Sequence, residues 1–335
     1  MLATSVRAAL RAAPLLGLVL TACGTARLEP APAARRFGFE MRASLAVGDG
    51  RTSATIWLPV PIAEEWQELG QVVPTAEGGA PAEHYDDHGN RFLSVTGTPT
   101  PDQPLAISYR VEVSRIAATP RDDLVAQGAL PDDPTWLTPA KLASLEIVRR
   151  QVLYVTAQQP DTVAKARALF GLAIDRVKLV AQGESNAGRG DLYWIWQSGL
   201  GDAADAGTLF VACCQSIGIP ASIECGFALP TDSNSEWRPL TDRWCWARFF
   251  APGLGWIPVD VGRAIANPER KDRFFDGLDH DRVRVARGHD LLLAPAQQGP
   301  PPRFLFGPYA EQAGKDVTAE LRSVVRYRDL ATERQ

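Results

Sequence analysis

One stretch, residues 188–260, constrains the fold of this chain more than any other. It reads GRGDLYWIWQSGLGDAADAGTLFVACCQSIGIPASIECGFALP, passes through a variable loop, and closes with RWCWARFFAPGLGWIPVD. Ala204 to Ile217 has the marks of a helix. Asp202 and Asp205 stand at its start, where carboxylates favour the positive end of the helix dipole. Ala206, Leu209, Phe210, Cys213, Cys214 and Ile217 form its apolar side, and Gly218 and Pro220 end it. Ser222 to Leu229 and Trp244 to Phe250 then read as strands. Pro252-Gly253-Leu254-Gly255 turns into a third, Trp256 to Asp260.

The sequence before this stretch has a different texture. FGFEMRASLAV, TSATIWLPVP, NRFLSVTG and LAISYRVEVSRIA alternate apolar with polar or small residues, separated by GDG, DDHGN and TPTPDQP. Such alternation between turn signals predicts an antiparallel β module over residues 37–118. Residues 119–180 read as a helical connection. LTPAKLASLEIVRRQVLYV offers Thr138 as a cap with Pro139 just inside the first turn. DTVAKARALFGLAIDRVKLVA sets Val163, Ala166, Leu169 and Leu172 at helical spacing. His84 and His88 fall in or beside a turn. No further ligand has metal-site spacing, so they read as exposed turn histidines.

The first residues read as a targeting signal. Arg7 and Arg11 precede an apolar run from Ala12 to Ala22, which is shorter than the roughly 20 residues a membrane-spanning helix needs. The run ends in Leu20-Thr21-Ala22-Cys23-Gly24, which resembles the lipobox of bacterial lipoproteins. That resemblance implies a signal peptide over residues 1–22, lipidation of Cys23 and a membrane attached through it. Residues 23–36 then form an Ala/Pro-rich tether. With 45% hydrophobic and 22% charged residues and a net charge of −4, the chain is neither a disordered polymer nor a basic one. A nucleic-acid partner is therefore not expected. No phosphate loop or ligand cluster implies a metal, nucleotide or redox cofactor.

The order helix, GIPA, strand, aromatic strand, PGLGWIPVD resembles the core of the transglutaminase-like superfamily. It implies an α+β, papain-like core over residues 181–335, with a helix against an antiparallel sheet, preceded by the β module. In that family a cysteine starts the helix, a histidine opens the aromatic strand and an aspartate ends the PVD strand. A helix N-terminus and an imidazole stabilise the thiolate, and the aspartate orients the imidazole. The family pattern G-x-G-N-C-x-D-x-x-x-L-F falls on Gly199 to Phe210, which puts Ala203 at the cysteine position. The histidine position, two residues before Trp246-Ala247, is Trp244. Only Asp260 remains, so the triad positions read Ala203, Trp244, Asp260.

No other residue in the sequence restores the chemistry. Cys213 and Cys214 lie about 15 Å down the helix, on its apolar side, and read as buried thiols. Cys245 adjoins Trp244 but points to the opposite face of its strand. His280 and His289 follow the third strand. Asp202, Asp205 and Asp260 could in principle form a carboxylate set, but Asp202 and Asp205 read more simply as helix-start charges, and Asp260 as a remnant bonded within the sheet. Cys225 and Cys245 fall on strands that should be close, which in an exported protein makes a disulfide a candidate, while both residues also suit a buried apolar slot.

The resulting expectation is a catalytically inactive, lipid-anchored protein of the bacterial cell envelope. It would act as a scaffold or bind a peptide or cell-wall ligand in a cleft lined by Asp202, Asp205, Trp246 and Trp256. In a second version Trp244 fills the space left by thiol and imidazole, closing the cleft and removing a cavity penalty. The alternative is an active papain-like cysteine hydrolase or acyltransferase with a rearranged site.

Overall fold

The computed structural model describes residues 34–46, 51–121, 124–127 and 146–331. The expected signal peptide, Cys23 and the expected Thr138 cap lie outside the described residues. Seven strands come first: β1 (Ala34–Leu45), β2 (Ala54–Val60), β3 (Gln67–Leu69), β4 (Val73–Glu77), β5 (Pro81–Tyr85), β6 (Arg91–Gly97) and β7 (Leu105–Ile116). Then follow α1 (Glu146–Thr156), α2 (Thr162–Arg176), β8 (Lys178–Leu179), α3 (Leu192–Ser198), β9 (Leu200–Gly201) and α4 (Ala203–Ser216). The chain continues with β10 (Ala221–Ala228), β11 (Arg238–Pro239), β12 (Arg243–Ala251), β13 (Gly255–Val259) and α5 (Val261–Ala266). It ends with β14 (Arg282–Arg287), β15 (Tyr309–Gln312), β16 (Lys315–Asp316) and β17 (Arg322–Asp329).

The architecture is α+β. The core sheet runs β13-β12-β10-β14, antiparallel throughout, and α4 lies against its β10 and β12 strands. Every residue of α4 from Ala203 to Cys214 is buried. A helix apolar all round belongs in the centre of a molecule, with layers on more than one side, and α2 covers a second flank of α4. Asp161 caps α2 by accepting from Val163 N at 2.8 Å and Ala164 N at 3.0 Å, which fixes where the helix starts and so which face Val163, Ala166 and Leu169 bury. Phe170, Phe210, Phe249 and Phe275, from α2, α4, β12 and the segment after α5, close a ring of contacts with centroids 5.5 to 6.5 Å apart. Tilted and edge-on pairs of this kind add about 0.5–1.5 kcal/mol each beyond the area they bury.

The first module is two face-to-face sheets. One runs β11-β17-β1-β7-β3, with β4 also on β7; the other runs β16-β15-β2-β6-β5. Alternate residues Phe37, Phe39, Met41, Ala43 and Leu45 of β1 are fully buried, as period-two patterning requires. The sequence reading confined this module to residues 37–118 and assigned everything after 181 to the core. The structure differs: the last strands of the chain return to the first module. β17 pairs with β1 over eight residues, from Phe37 opposite Asp329 to Ser44 opposite Arg322, and β15 pairs with β2. Arg35 locks that return, with Nε 2.7 Å from Asp329 Oδ1 and Nη1 2.7 Å from Asp281 Oδ1.

Module and core meet at a buried ionic hub. Glu224 of β10 lies 3.1 Å from Arg287 and 3.6 Å from Arg248, and accepts from Trp246 Nε1 at 2.6 Å. Glu64 lies 2.9 Å from Arg115, 3.1 Å from Arg284 and 3.4 Å from Arg287. Burial pushes the Glu224 carboxyl up, but Arg287, Arg284 and Arg248 outweigh it and hold it down at about 2. Burial alone would cost each of these ions several kcal/mol, so the hub holds together only as a whole.

Candidate functional site

The site is built where α4 begins. Asp202 is its N-cap, accepting from Ala204 N at 2.8 Å and Asp205 N at 3.0 Å, while Asp205 accepts from Asp202 N at 3.1 Å. This reciprocal box satisfies donors that a helix start otherwise leaves open. Asp205 is fully buried and also gathers the preceding loop, accepting from Gly188 N at 2.6 Å and Gly190 N at 2.8 Å. Arg303, from the segment between β14 and β15, holds the same loop by donating to Gly190 O at 2.7 Å. Burial, with the neighbouring Asp205 charge second, pushes the Asp202 carboxyl up to about 6. Burial likewise raises Asp205, against the pull of its backbone donors. Both aspartates therefore have structural work at the helix start.

Ala203 is the first residue of α4, 7% exposed. Trp244 is the second residue of β12 and half-buried. Its indole Nε1 lies 3.2 Å from both Asp260 carboxylate oxygens. Asp260 follows β13 and accepts from two residues of the same sheet, Trp244 of β12 and Arg282 of β14. It is the N-cap of α5, accepting from Arg263 N at 2.9 Å, and it also takes Arg282 Nη1 at 2.9 Å. Asp260 and Arg282 are 0% and 2% exposed, so the carboxylate's charge is matched inside the protein. The Arg263 guanidinium stacks on the Trp244 ring at 4.8 Å.

Ala203 and Trp244 meet at Gly262, the second residue of α5. A Cβ at Gly262 would stand 2.8 Å from Ala203 Cβ and 3.0 Å from Trp244 Cζ2, closer than real side chains come. Only glycine allows α5 to approach both. The structure thus brings all three triad positions to one place, where the indole N–H points at the aspartate as an imidazole N–H would. The chemistry does not follow the geometry. An indole N–H donates but has no basic lone pair, and an alanine methyl is no nucleophile.

The other residues read from sequence are placed as follows. Trp246 is fully buried in the ionic hub and lines no cleft. Trp256 lies under the Arg248 guanidinium at 4.1 Å and edge-on to Phe250, four residues before Asp260. Cys225 and Cys245 are directly opposed across β10 and β12, as free thiols with sulfurs 3.1 Å apart. Cys213 and Cys214 are buried; burial pushes Cys213 up to about 12 and Cys214 well above the ordinary thiol range. His84 Nε2 sits 3.1 Å from Ser94 Oγ, and His289 bonds Asp290 at 3.1 Å. Sequence reasoning did not single out Arg282, the cation at Asp260, or Arg263, the cation on the Trp244 ring. The alternating Arg-Val-Arg-Val of 282–285 was the available signal for the first: arginines on one face of a strand need acids opposite.

Comparison with known proteins bears on this arrangement. Residues 149–261 match the model of the Transglutaminase-like superfamily, a span from α1 to the first residue of α5 that contains Ala203, Trp244 and Asp260. No curated protein matches the chain. Among solved structures, one described as a "Putative Cysteine Protease from Cytophaga hutchinsonii" is 16% identical, covers 90% of this chain and 93% of its own, and superposes with a TM-score of 0.59. The likeness is one of fold. The periplasmic domain of TgpA from Pseudomonas aeruginosa is also 16% identical, over 73% of this chain and 92% of its own, with a TM-score of 0.39.

Proposed function

We propose that this chain, whose core is a transglutaminase-like domain, is a catalytically inactive member of that superfamily, held in the bacterial cell envelope by a lipid on Cys23 and acting there by binding rather than by reaction. One observation carries the reading. The nucleophile position is the Ala203 methyl, and the base position is an indole whose N–H is committed to Asp260 at 3.2 Å. Loss of both groups removes the reaction itself, because neither formation of a thiolate nor proton transfer has a residue to perform it. Arg282 supplies the positive charge that an imidazolium would otherwise bring to Asp260. The scaffold is therefore stable without the catalytic pair. Trp244, resting on Gly262 beside Ala203, closes the former catalytic point, so a peptide or cell-wall ligand would bind around it, not at it.

The test rebuilds what is missing. Ala203→Cys together with Trp244→His should create a thiol that reacts with iodoacetamide faster than glutathione does at neutral pH, while Ala203→Cys alone should not. The unmodified chain should show no hydrolysis of peptide amides and no amine transfer. An amidase activity of the unmodified chain, abolished by alkylating one of its own cysteines, would overturn the reading in favour of an active papain-like hydrolase. Metabolic labelling with a radioactive fatty acid, lost in Cys23→Ser, tests the anchor separately.

A further inference from the structure

The outer face of the β11-β17-β1-β7 sheet is basic, in a chain whose net charge is −4. β1 runs through its middle. The register sets Arg328 beside Gly38, Arg326 beside Glu40 and Arg322 beside Ser44 on one flank. On the other flank Arg110 stands opposite Glu40. Arg42, Arg110, Arg322 and Arg328 are exposed, and Arg326 is half-buried. Beneath them Glu40 is 2% exposed; it accepts from Arg326 Nε at 2.9 Å and pairs with Arg110. Glu112, at the flank, is matched by Arg36 at 3.7 Å. Glu68 of β3 and Glu77 of β4 are exposed on the same face. Six arginines (Arg36, Arg42, Arg110, Arg322, Arg326 and Arg328) thus stand against four glutamates (Glu40, Glu68, Glu77 and Glu112), and positive charge is left in excess.

Trp237, just before β11, crosses onto this face and lies over Gly38, where a Cβ would already stand 3.4 Å from the ring. The guanidinium carbons of Arg326, Arg328 and Arg110 surround that ring at 4.9, 5.0 and 5.7 Å from its centroid. Val324 and Val73, 43% and 55% exposed, stand on the same face opposite Arg42 and Arg110. An indole flanked by cations with apolar residues beside it is the composition of a surface that sits at a lipid–water boundary.

We propose that this face docks on an anionic phospholipid surface, its arginines on the phosphates and Trp237 with the two valines at the headgroup level. Charge complementarity favours it. Chain length adds to this: Cys23 precedes Ala34, the first residue of β1, by eleven residues, a reach of at most about 38 Å. A lipid on Cys23 would thus hold the central strand of the basic face close to the bilayer. This second support rests on the lipid-anchor reading; the charge of the face does not.

The experiment uses the chain from Gly24, which carries no acyl group. It keeps the fold, because the described core residues all lie at Phe37 or beyond. It is sedimented with vesicles of phosphatidylcholine alone or with one third phosphatidylglycerol, at low and high salt. Binding at least about tenfold tighter to the anionic vesicles at low salt and loss of that preference at high salt are expected. A triple variant, Arg42→Glu, Arg322→Glu and Arg328→Glu, should lower partitioning at least about tenfold, with unchanged circular dichroism and Tm; the three lysine replacements should retain it. Equal binding to both vesicles, full binding by the glutamate variant, or binding to dextran sulfate with none to vesicles would overturn the proposal. A failure here concerns the face, whereas a failure of fatty-acid labelling at Cys23 concerns the anchor.

Discussion

The indole nitrogen of Trp244 lies 3.2 Å from each carboxylate oxygen of Asp260. The two residues are 16 positions apart, at the start of β12 and just after β13, and their contact ties the aromatic strand to the N-cap of α5. The indole N–H is a donor with no basic lone pair, so the contact serves the fold.

Trp244→Phe should show this directly. Phenylalanine keeps the ring against Gly262 and loses the N–H, leaving Asp260 with Arg282 and Arg263 N as donors. Hydrogen bonds to charged groups contribute roughly 1.5–3 kcal/mol; at 3.2 Å the lower end applies, about 1.5 kcal/mol by urea unfolding. Stability equal to the parent would mean that the contact is incidental.

Arg282 carries more. It is the cation paired, at 2.9 Å, with a carboxylate that has no exposure to solvent. Arg282→Met leaves a buried charge without its partner, a loss of roughly 3–5 kcal/mol. Adding Asp260→Asn should recover much of that, because the charge disappears with its counter-ion. A double variant as unstable as Arg282→Met alone would count against the pairing.

Asp202 makes stability depend on pH in the direction opposite to most carboxylates. Its carboxyl is pushed from 3.8 up to about 6 in the fold, so the folded state binds this proton more tightly than the unfolded chain does. Its contribution is fully present below about pH 4 and is lost as pH rises through about 6. Asp202→Asn keeps an N-cap side chain and removes the titration. The variant should match the parent near pH 3.5 and exceed it above pH 6, by on the order of 2 kcal/mol. A Tm difference that stays constant across that range would refute the assignment.

The thiols should be inert. Burial raises Cys213, Cys214 and Cys245, and thiolate is the reactive form. Native protein should label slowly with iodoacetamide at pH 8, and four thiols besides Cys23 should count in denaturant without reductant. A count of two would place a disulfide between Cys225 and Cys245.

Much of the site was legible in the sequence because its parts are local. Asp202 and Asp205 announce a helix start within four residues, and the structure begins α4 at Ala203, one residue before the expected Ala204. The aromatic strand and PGLGWIPVD fix the register of Trp244 and Asp260 by their own flanking blocks. β1, β2, β6 and β7 follow from alternation. The three-residue β3 and the exposed β4 and β5 do not, because short edge strands bury too little to leave a pattern.

What the sequence by itself determined is the order of helix and strands in the core and that neither Ala203 nor Trp244 carries a nucleophile or a base. Only the tertiary structure decided what surrounds them. Asp260 found Arg282, 22 residues onward, and Arg35 found Asp329 across 294 residues, returning the end of the chain to its first sheet. A local pattern specifies which face of an element is buried. The partner a buried charge meets is selected by the packing of distant segments, where an unmatched ion would cost more than the fold can spare.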